Sequence, residues 1–265
     1  MSEIYNIIEK KKLDIVNKPI DKSHGLPNEC YTSQEYTKLE RKKLFEDKWV
    51  VIGIASALPN KGDAKPFDLL GIPIMILRDK QNKIRVFHNV CSHRGYKILQ
   101  ESCKIKNVIR CPYHSWSYDT SGNLVATPHL GGMNKHTSKK FDKSKSGLKE
   151  IRSHIWLDMI FVNISENEIA FEDYIKPLSD RWEKFWPIKD RDLIVYSNDY
   201  GYFNLNVKCN WKFAIENYCE SYHLPWVHPG LNSYSKIDDH YHIQGLPNRF
   251  AGQGTKVYNP KLKGK

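Results

Sequence analysis

No uncharged apolar run in this 265-residue chain is long enough to cross a bilayer, and its start, Met-Ser-Glu-Ile-Tyr, has no basic segment followed by an apolar one. Both absences point to a cytoplasmic protein with no membrane span. Cysteine is too sparse for a crosslinked scaffold, since six thiols in a chain of this size do not make a disulfide framework. Internal repeats and low-complexity tracts are lacking as well. So is the footprint of nucleic-acid binding, lysines interleaved with aromatics on one periodic face, despite a formal charge of +11. The lysines gather instead at Lys10 to Lys12, across 135–149, and at Lys261, Lys263 and Lys265, as in solvated loops and tails. The functional reading of the same charge is a docking face for an acidic electron-transfer protein.

What is present suffices for a globular protein: 40% of the residues are hydrophobic, enough to bury the core of one large domain or two modest ones. Residues 1–30 are polar, carry Pro19, Gly25 and Pro27, and read as a loosely structured arm. Thr32-Ser33-Gln34-Glu35 has the spacing of a capping box and predicts a helix over 33–46. β-like runs follow at 49–55, 66–78 and 84–90, with a turn at Asp79-Lys80-Gln81-Asn82. Further strands are expected near 107–110, 115–118 and 155–164, with a turn at Ser121-Gly122-Asn123 and a lysine-rich surface loop over 134–150. The all-β region closes near 165. Beyond it a helix is expected over 171–186, ended by Pro187, then a half-buried strand over 200–208 and a helix over 210–224 stopped by Pro225. The implied division is an arm and helix over 1–46, a β-domain over 47–165 and a second unit over 166–265.

Two short motifs carry chemistry. Cys91-Ser92-His93 and Cys111-Pro112-Tyr113-His114 present two thiolates and two imidazoles, with 17 residues between His93 and Cys111. Zinc or a two-iron cluster could use four such ligands. Mixed zinc sites usually pair cysteine with cysteine and histidine with histidine at short gaps, whereas here each motif supplies one of each. A Rieske [2Fe-2S] centre needs that arrangement, one iron taking both thiolates and the other both imidazoles. A second constellation lies in the 210–224 segment. There Glu216, Glu220 and His223 recur at four and three, so that the Glu220 carboxylate lies within one turn of the His223 ring, and His228 can return toward it after Pro225. Trp211, Ile215, Tyr218 and Tyr222 recur on another face. For Trp211 and Trp226 the expectation is ordinary core packing. Among the 11 histidines, His136, His240 and His242 are surface candidates, and Cys103 reads as a free thiol.

On these residues the chain resembles the Rieske non-haem iron oxygenases. Cys91-Ser92-His93-Arg94-Gly95 and Cys111-Pro112-Tyr113-His114-Ser115-Trp116 look like the two cluster loops of the terminal oxygenase alpha subunits, with Gly95 and Tyr113 where respiratory Rieske proteins carry an extra disulfide. The 210–228 segment looks like their iron-binding helix. The resemblance covers roughly 30–260 and implies an α+β protein: an all-β Rieske domain, then the first part of an α+β, helix-grip-like catalytic domain. It makes Cys91, His93, Cys111 and His114 cluster ligands, His223 and His228 ligands of mononuclear Fe(II), and Glu220 the bridge from His223 to His114 of a neighbouring subunit in a homotrimer. The implied reaction is activation of dioxygen and its insertion into a small organic substrate, as a mono- or dioxygenase that hydroxylates or demethylates. Electrons would come from NAD(P)H through a separate reductase or ferredoxin. Glutamate at position 220 resembles the branch acting on quaternary amines such as carnitine or betaine. The family's third iron ligand, a downstream aspartate, has no counterpart: 37 residues follow His228, in which Asp238 and Asp239 read as solvated. The chain thus resembles a C-terminally truncated alpha subunit. The alternatives are a Rieske-type electron carrier and a catalytically incomplete fragment.

Overall fold

The computed structural model describes residues 2–191, 205–243 and 250–258. In chain order, four helices come first: α1 (Ser2–Tyr5), α2 (Lys10–Val16), α3 (Glu29–Thr32) and α4 (Gln34–Glu40), the last running on into one widened π turn, Arg41–Glu46. The arm is therefore more ordered than its composition suggests, with Ile8 and Cys30 each only 1% exposed. Ser33, not Thr32, caps α4: its Oγ accepts the Tyr36 N–H at 3.2 Å, while the Thr32 hydroxyl donates to Asn28 O.

The strands are β1 (Val50–Ile54), β2 (Asp63–Leu69), β3 (Ile72–Arg78), β4 (Ile84–His88), β5 (Cys103–Lys104), β6 (Ile109–Arg110), β7 (Ser117–Tyr118), β8 (Leu124–Ala126), β9 (Arg152–Trp156) and β10 (Met159–Asn163). They form antiparallel sheets ordered β4-β3-β2-β5, β1-β10-β9 and β6-β7-β8. Two runs that look continuous in the sequence are hairpins. The 66–78 run turns at Leu70-Gly71 (φ 53° and 86°), and the 155–164 run turns at Leu157-Asp158 (φ 52° and 63°). Two consecutive residues with positive φ make a tight hairpin turn. Neither pair is an Asn-Gly or Asp-Gly signal. Side chains stabilise both instead, Asp68 Oδ1 accepting the Gly71 N–H at 2.7 Å and the Asp158 carboxylate accepting the Ser56 N–H at 2.9 Å.

Strand β3 explains why 74–77 is apolar throughout. Ile74 and Ile76 point into one core with Ile52, Val86, Ile160 and Val162, while Met75 and Leu77 point into another with Phe87, Trp116 and Tyr118. A strand buried on both faces has no polar side to show. The second of these cores also contains Cys91 and Cys111.

Beyond the strands come α5 (Phe171–Trp182), α6 (Ile188–Arg191), α7 (Trp211–Cys219), α8 (Leu224–Val227), α9 (Pro229–Asn232) and a hairpin of β11 (Tyr241–Ile243) with β12 (Gly252–Gly254). Helix α5 stops at Trp182 rather than Trp186; a turn, with Trp182 O accepting the Trp186 N–H at 2.7 Å, carries the chain to Pro187. Of the strand expected over 200–208, residues 200–204 lie outside the described residues, and 205–207 have no regular structure. Helix α7 ends at Cys219, short of Pro225, because Glu220 takes an extended backbone (φ −121°, ψ 150°). Pro225 opens α8 instead of stopping α7, in the first turn where a missing N–H costs nothing. The described residues group into two compact units, one from Met1–Leu39, Ala170–Pro187 and Tyr202–Lys265, the other from Glu40–Ile169 and Ile188–Gly201. Among the described residues no helix is long and apolar enough to cross a membrane.

Candidate metal centres

Each of the two Cys/His loops folds around its cysteine in the same way. The Cys91 N–H donates to Tyr96 O (2.9 Å) and Cys91 O accepts the Gly95 N–H (2.9 Å); the Cys111 N–H donates to Trp116 O (2.8 Å) and Cys111 O accepts the Ser115 N–H (3.0 Å). The closing residues Gly95 and Ser115 both take positive φ, 70° and 57°. The result is a pair of matched loops, with the sulfurs inside and the rings at the rim. Cys91 and Cys111 are 3% and 1% exposed, while His93 and His114 are half-buried. The two imidazole centroids lie 4.7 Å apart.

The surroundings suit anionic sulfur at the centre. Burial pushes the Cys111 thiol up, but the backbone N–H groups of Tyr113 and His114 point at its sulfur and pull the other way, and its side chain contacts that of Cys91. The Tyr118 hydroxyl lies 3.1 Å from Cys91 Sγ and 2.9 Å from Ser92 Oγ, and accepts the Ser92 N–H at 3.1 Å. Ser92 Oγ gives its own proton to Ser146 O, so Tyr118 has one proton to share, and a Cys91 thiolate would take it. The His93 ring stacks on Trp116 at 4.5 Å. Burial, His114 and Arg94 hold the His93 pKa down, keeping a lone pair available. Asn89, fully buried, ties the first loop down through both its amide atoms on Leu99, at 2.7 and 2.8 Å. Sequence reasoning missed Tyr118, Ser92 and Asn89. Tyr118 stands seven residues after Cys111, and no pattern joins it to Cys91. These four donors fit a two-iron cluster with two protein ligands per iron. Among the described residues no group of three or more His, Cys, Asp or Glu side chains is placed to hold a single metal ion.

In the other unit, Glu220 and His223 are not on one helical face, because α7 has ended before Glu220. They meet nevertheless. The Glu220 carboxylate accepts the His223 backbone N–H at 3.2 Å through Oε2 and contacts ring Nδ1 through Oε1. That contact holds the Glu220 carboxyl below its usual range. With Nδ1 engaged, Nε2 is the ring atom left to bind a metal. His228 brings its ring centroid to 5.4 Å from that of His223. Two imidazoles therefore fit a mononuclear site, and no third ligand joins them among the described residues. Asp239 accepts the Tyr258 hydroxyl, and Asp238 is exposed. The aromatic stripe is not core: Trp211, Tyr218, Tyr222 and Trp226 are 41%, 78%, 80% and 84% exposed. Helix α7 buries Lys212 instead, whose ammonium sits over the rings of Tyr31, Tyr36 and Trp211. Of the other candidates, His136 pairs with His129 in an exposed loop, His240 Nε2 lies 3.0 Å from Ser235 Oγ, and Cys103 is free and exposed.

The chain matches the Rieske [2Fe-2S] domain family over residues 48–137 and the ring hydroxylating alpha subunit catalytic domain family over 196–263. It is 30% identical over 236 residues to the carnitine monooxygenase oxygenase subunit of Acinetobacter pittii, covering 89% of this chain and 60% of that protein. It is 29% identical over 213 residues to the glycine betaine monooxygenase oxygenase subunit of Pseudomonas aeruginosa, covering 80% and 46%. The crystal structure of a quaternary ammonium Rieske monooxygenase in complex with L-carnitine matches with a TM-score of 0.69 at 28% identity, over 83% of this chain and 62% of that one. The chain thus spans less than two thirds of the length of each of these proteins.

Proposed function

We propose that this chain, which matches the Rieske [2Fe-2S] domain family over 48–137 and the ring hydroxylating alpha subunit catalytic domain family over 196–263, is the electron-accepting and iron-binding part of a terminal oxygenase acting on a small quaternary amine. Cys91 and Cys111 hold one iron of the cluster, and His93 and His114 the other; His223 and His228 hold a ferrous ion. The cluster domain extends over 47–165 and the partial catalytic domain over 166–265. When bound, the cluster stores one electron at a potential raised by its imidazole ligands, and the ferrous site supplies the chemistry of dioxygen activation.

The protein's own groups prepare both sites. Tyr118 and the Tyr113 and His114 amides direct N–H and O–H dipoles at the sulfurs, stabilising the thiolate form. The half-buried rings of His93 and His114 form the exit for an electron. Glu220 holds His223 by Nδ1, keeping Nε2 free for the metal, and its exposed carboxylate has further acceptor capacity for His114 of a second subunit in a homotrimer. The quaternary amine class is supported by the names of the relatives and by glutamate at position 220. Electrons come from NAD(P)H through a reductase or ferredoxin, and the protein works in the cytoplasm.

The observation that carries this reading is the Glu220–His223–His228 arrangement in the same chain as the paired Cys/His loops. A pure electron carrier has no use for it. The test supplies the purified chain with excess ferrous iron, a reductase, and carnitine or glycine betaine. Substrate-dependent oxygen uptake with loss of a methyl or alkyl group supports the oxygenase. A brown, reducible protein that binds no third iron and consumes no oxygen in response to either amine leaves the carrier as the reading.

A further inference from the structure

Residues of α3 and α4 meet helix α7, and one of them, Tyr31, uses its ring, its hydroxyl and its carbonyl. The Tyr31 ring stacks on Phe213 with centroids 4.7 Å apart and planes 17° from parallel. Its hydroxyl donates to Glu216 Oε1 at 2.6 Å, and its carbonyl accepts from Asn210 Nδ2 at 3.0 Å. Asn210 is also the cap of α7, its Oδ1 accepting the Lys212 N–H at 3.1 Å. The buried Lys212 ammonium lies 5.5 Å from the centre of the Tyr31 ring and 5.4 Å from that of Tyr36. Tyr31 thus touches α7 at its cap, its first turn and its second turn. All of these residues belong to one compact unit.

Helix α7 has nine residues and ends one position before Glu220. A helix this short is not stable by itself, so its placement depends on side-chain contacts. Stacking on Phe213 restrains its rotation, and hydrogen bonds at Asn210 and Glu216 restrain sliding along its axis. Whatever fixes α7 fixes the point from which the chain leaves it, and that point carries Glu220 and, three residues on, His223. Because Glu220 and His223 are joined by hydrogen bonds, which are short-range and directional, a small displacement of the helix end is felt at the ring.

We propose that Tyr31 is a positioning residue for the Glu220–His223 pair, acting through Glu216 and α7. The inference deepens the assignment of His223 as an iron ligand and rests on it for its functional meaning. The structural part stands without it. Burial and the neighbouring Glu216 carboxylate push the Tyr31 hydroxyl up to about 12, so it remains a proton donor across the working pH range.

The test uses the whole chain with Tyr31→Phe, which keeps the ring stack and removes only the hydroxyl, and with Glu216→Gln, which keeps an oxygen that can accept from Tyr31. The first readout is the His223 ring signal in nitrogen NMR of the cluster-loaded protein whose mononuclear site has been emptied with a chelator, assigned through His223→Gln. The expected result is a displaced or broadened His223 signal in Tyr31→Phe, a signal close to wild type in Glu216→Gln, and an unchanged cluster spectrum in both. The second readout is ferrous iron affinity, expected to fall about tenfold in Tyr31→Phe, as for other residues that orient a ligand. An unmoved His223 signal in Tyr31→Phe overturns the proposal, even if the variant melts at a lower temperature. A wild-type chain that binds no iron at His223 overturns the oxygenase reading instead and leaves the NMR result to decide this one.

Discussion

Around Cys91 and Cys111 the same pair of backbone hydrogen bonds closes both loops, and the sulfurs lie in the core with Met75, Leu77 and Phe87. Around His223 one carboxylate does the holding, and the neighbouring aromatics are exposed. The contrast teaches that the two sites depend on different ranges of the chain. The first is assembled from two loops of six residues that mould themselves locally. The second takes two imidazoles from the two ends of α8, just after a short helix, and lacks a converging carboxylate among the described residues. The first should therefore resist perturbation and the second should not.

The sharpest way to break that comparison is to remove a thiolate. Cys91→Ser or Cys111→Ser replaces a soft ligand by a hard hydroxyl and should abolish the brown colour and the electron-paramagnetic signal of the reduced cluster, with far-ultraviolet dichroism largely retained. Wild-type protein that is colourless and holds only zinc would end the cluster assignment. Metal removal comes next. A chelator should strip the mononuclear iron and leave about two irons per chain, as a Rieske cluster requires. Three tightly held irons after the same treatment would mean that a carboxylate does converge, and would direct attention back to Asp238 or Asp239.

Smaller effects sharpen the contrast. Glu220→Gln keeps the size and removes the charge, so electron transfer to the mononuclear iron should slow by about 10- to 100-fold with the cluster spectrum intact. Loss of the cluster in that variant would show that the residue supports the fold. Tyr118→Phe removes the hydroxyl beside Cys91 Sγ. With a hydrogen bond worth about 1 kcal/mol, the potential should drop by roughly 40 mV for a one-electron couple, measured by redox titration. The smallest effect probes loop closure itself. Gly95→Ala meets no atom within 4 Å of the new Cβ, so its cost is conformational, about 1 kcal/mol in a urea melt. Ser115 already bears that cost at the matching place in the other loop.

Much of the β unit was legible because its elements are local. The 84–90 run and the Asp79–Asn82 turn appear where expected, the Asp79 carboxylate accepting the Gln81 and Lys83 N–H groups at 2.9 and 2.8 Å. The two hairpin turns at Leu70-Gly71 and Leu157-Asp158 escaped because their positive φ values are sustained by side chains and strand pairing rather than by the usual turn residues. The end of α7 escaped for a related reason. Helical spacing continues through His223, but the Glu220 carboxylate bonds to the His223 N–H and ring, and the Tyr218 carbonyl accepts from Gln253 Nε2, contacts that go with the extended backbone ending the helix.

By itself the sequence determined which four residues could share a cluster, since two Cys/His pairs within a few positions of each other fix donor type and loop length at once. It also determined that Glu220 stands within reach of His223. Which side chains surround those donors was decided only by tertiary structure. Tyr118 reaches Cys91, 27 residues away, because β7 and the first loop share one core, and Tyr31 reaches Glu216, 185 residues away, because α3 lies against α7. Contacts of that span have no period and no motif. They come from packing, which depends on the whole unit closing around them.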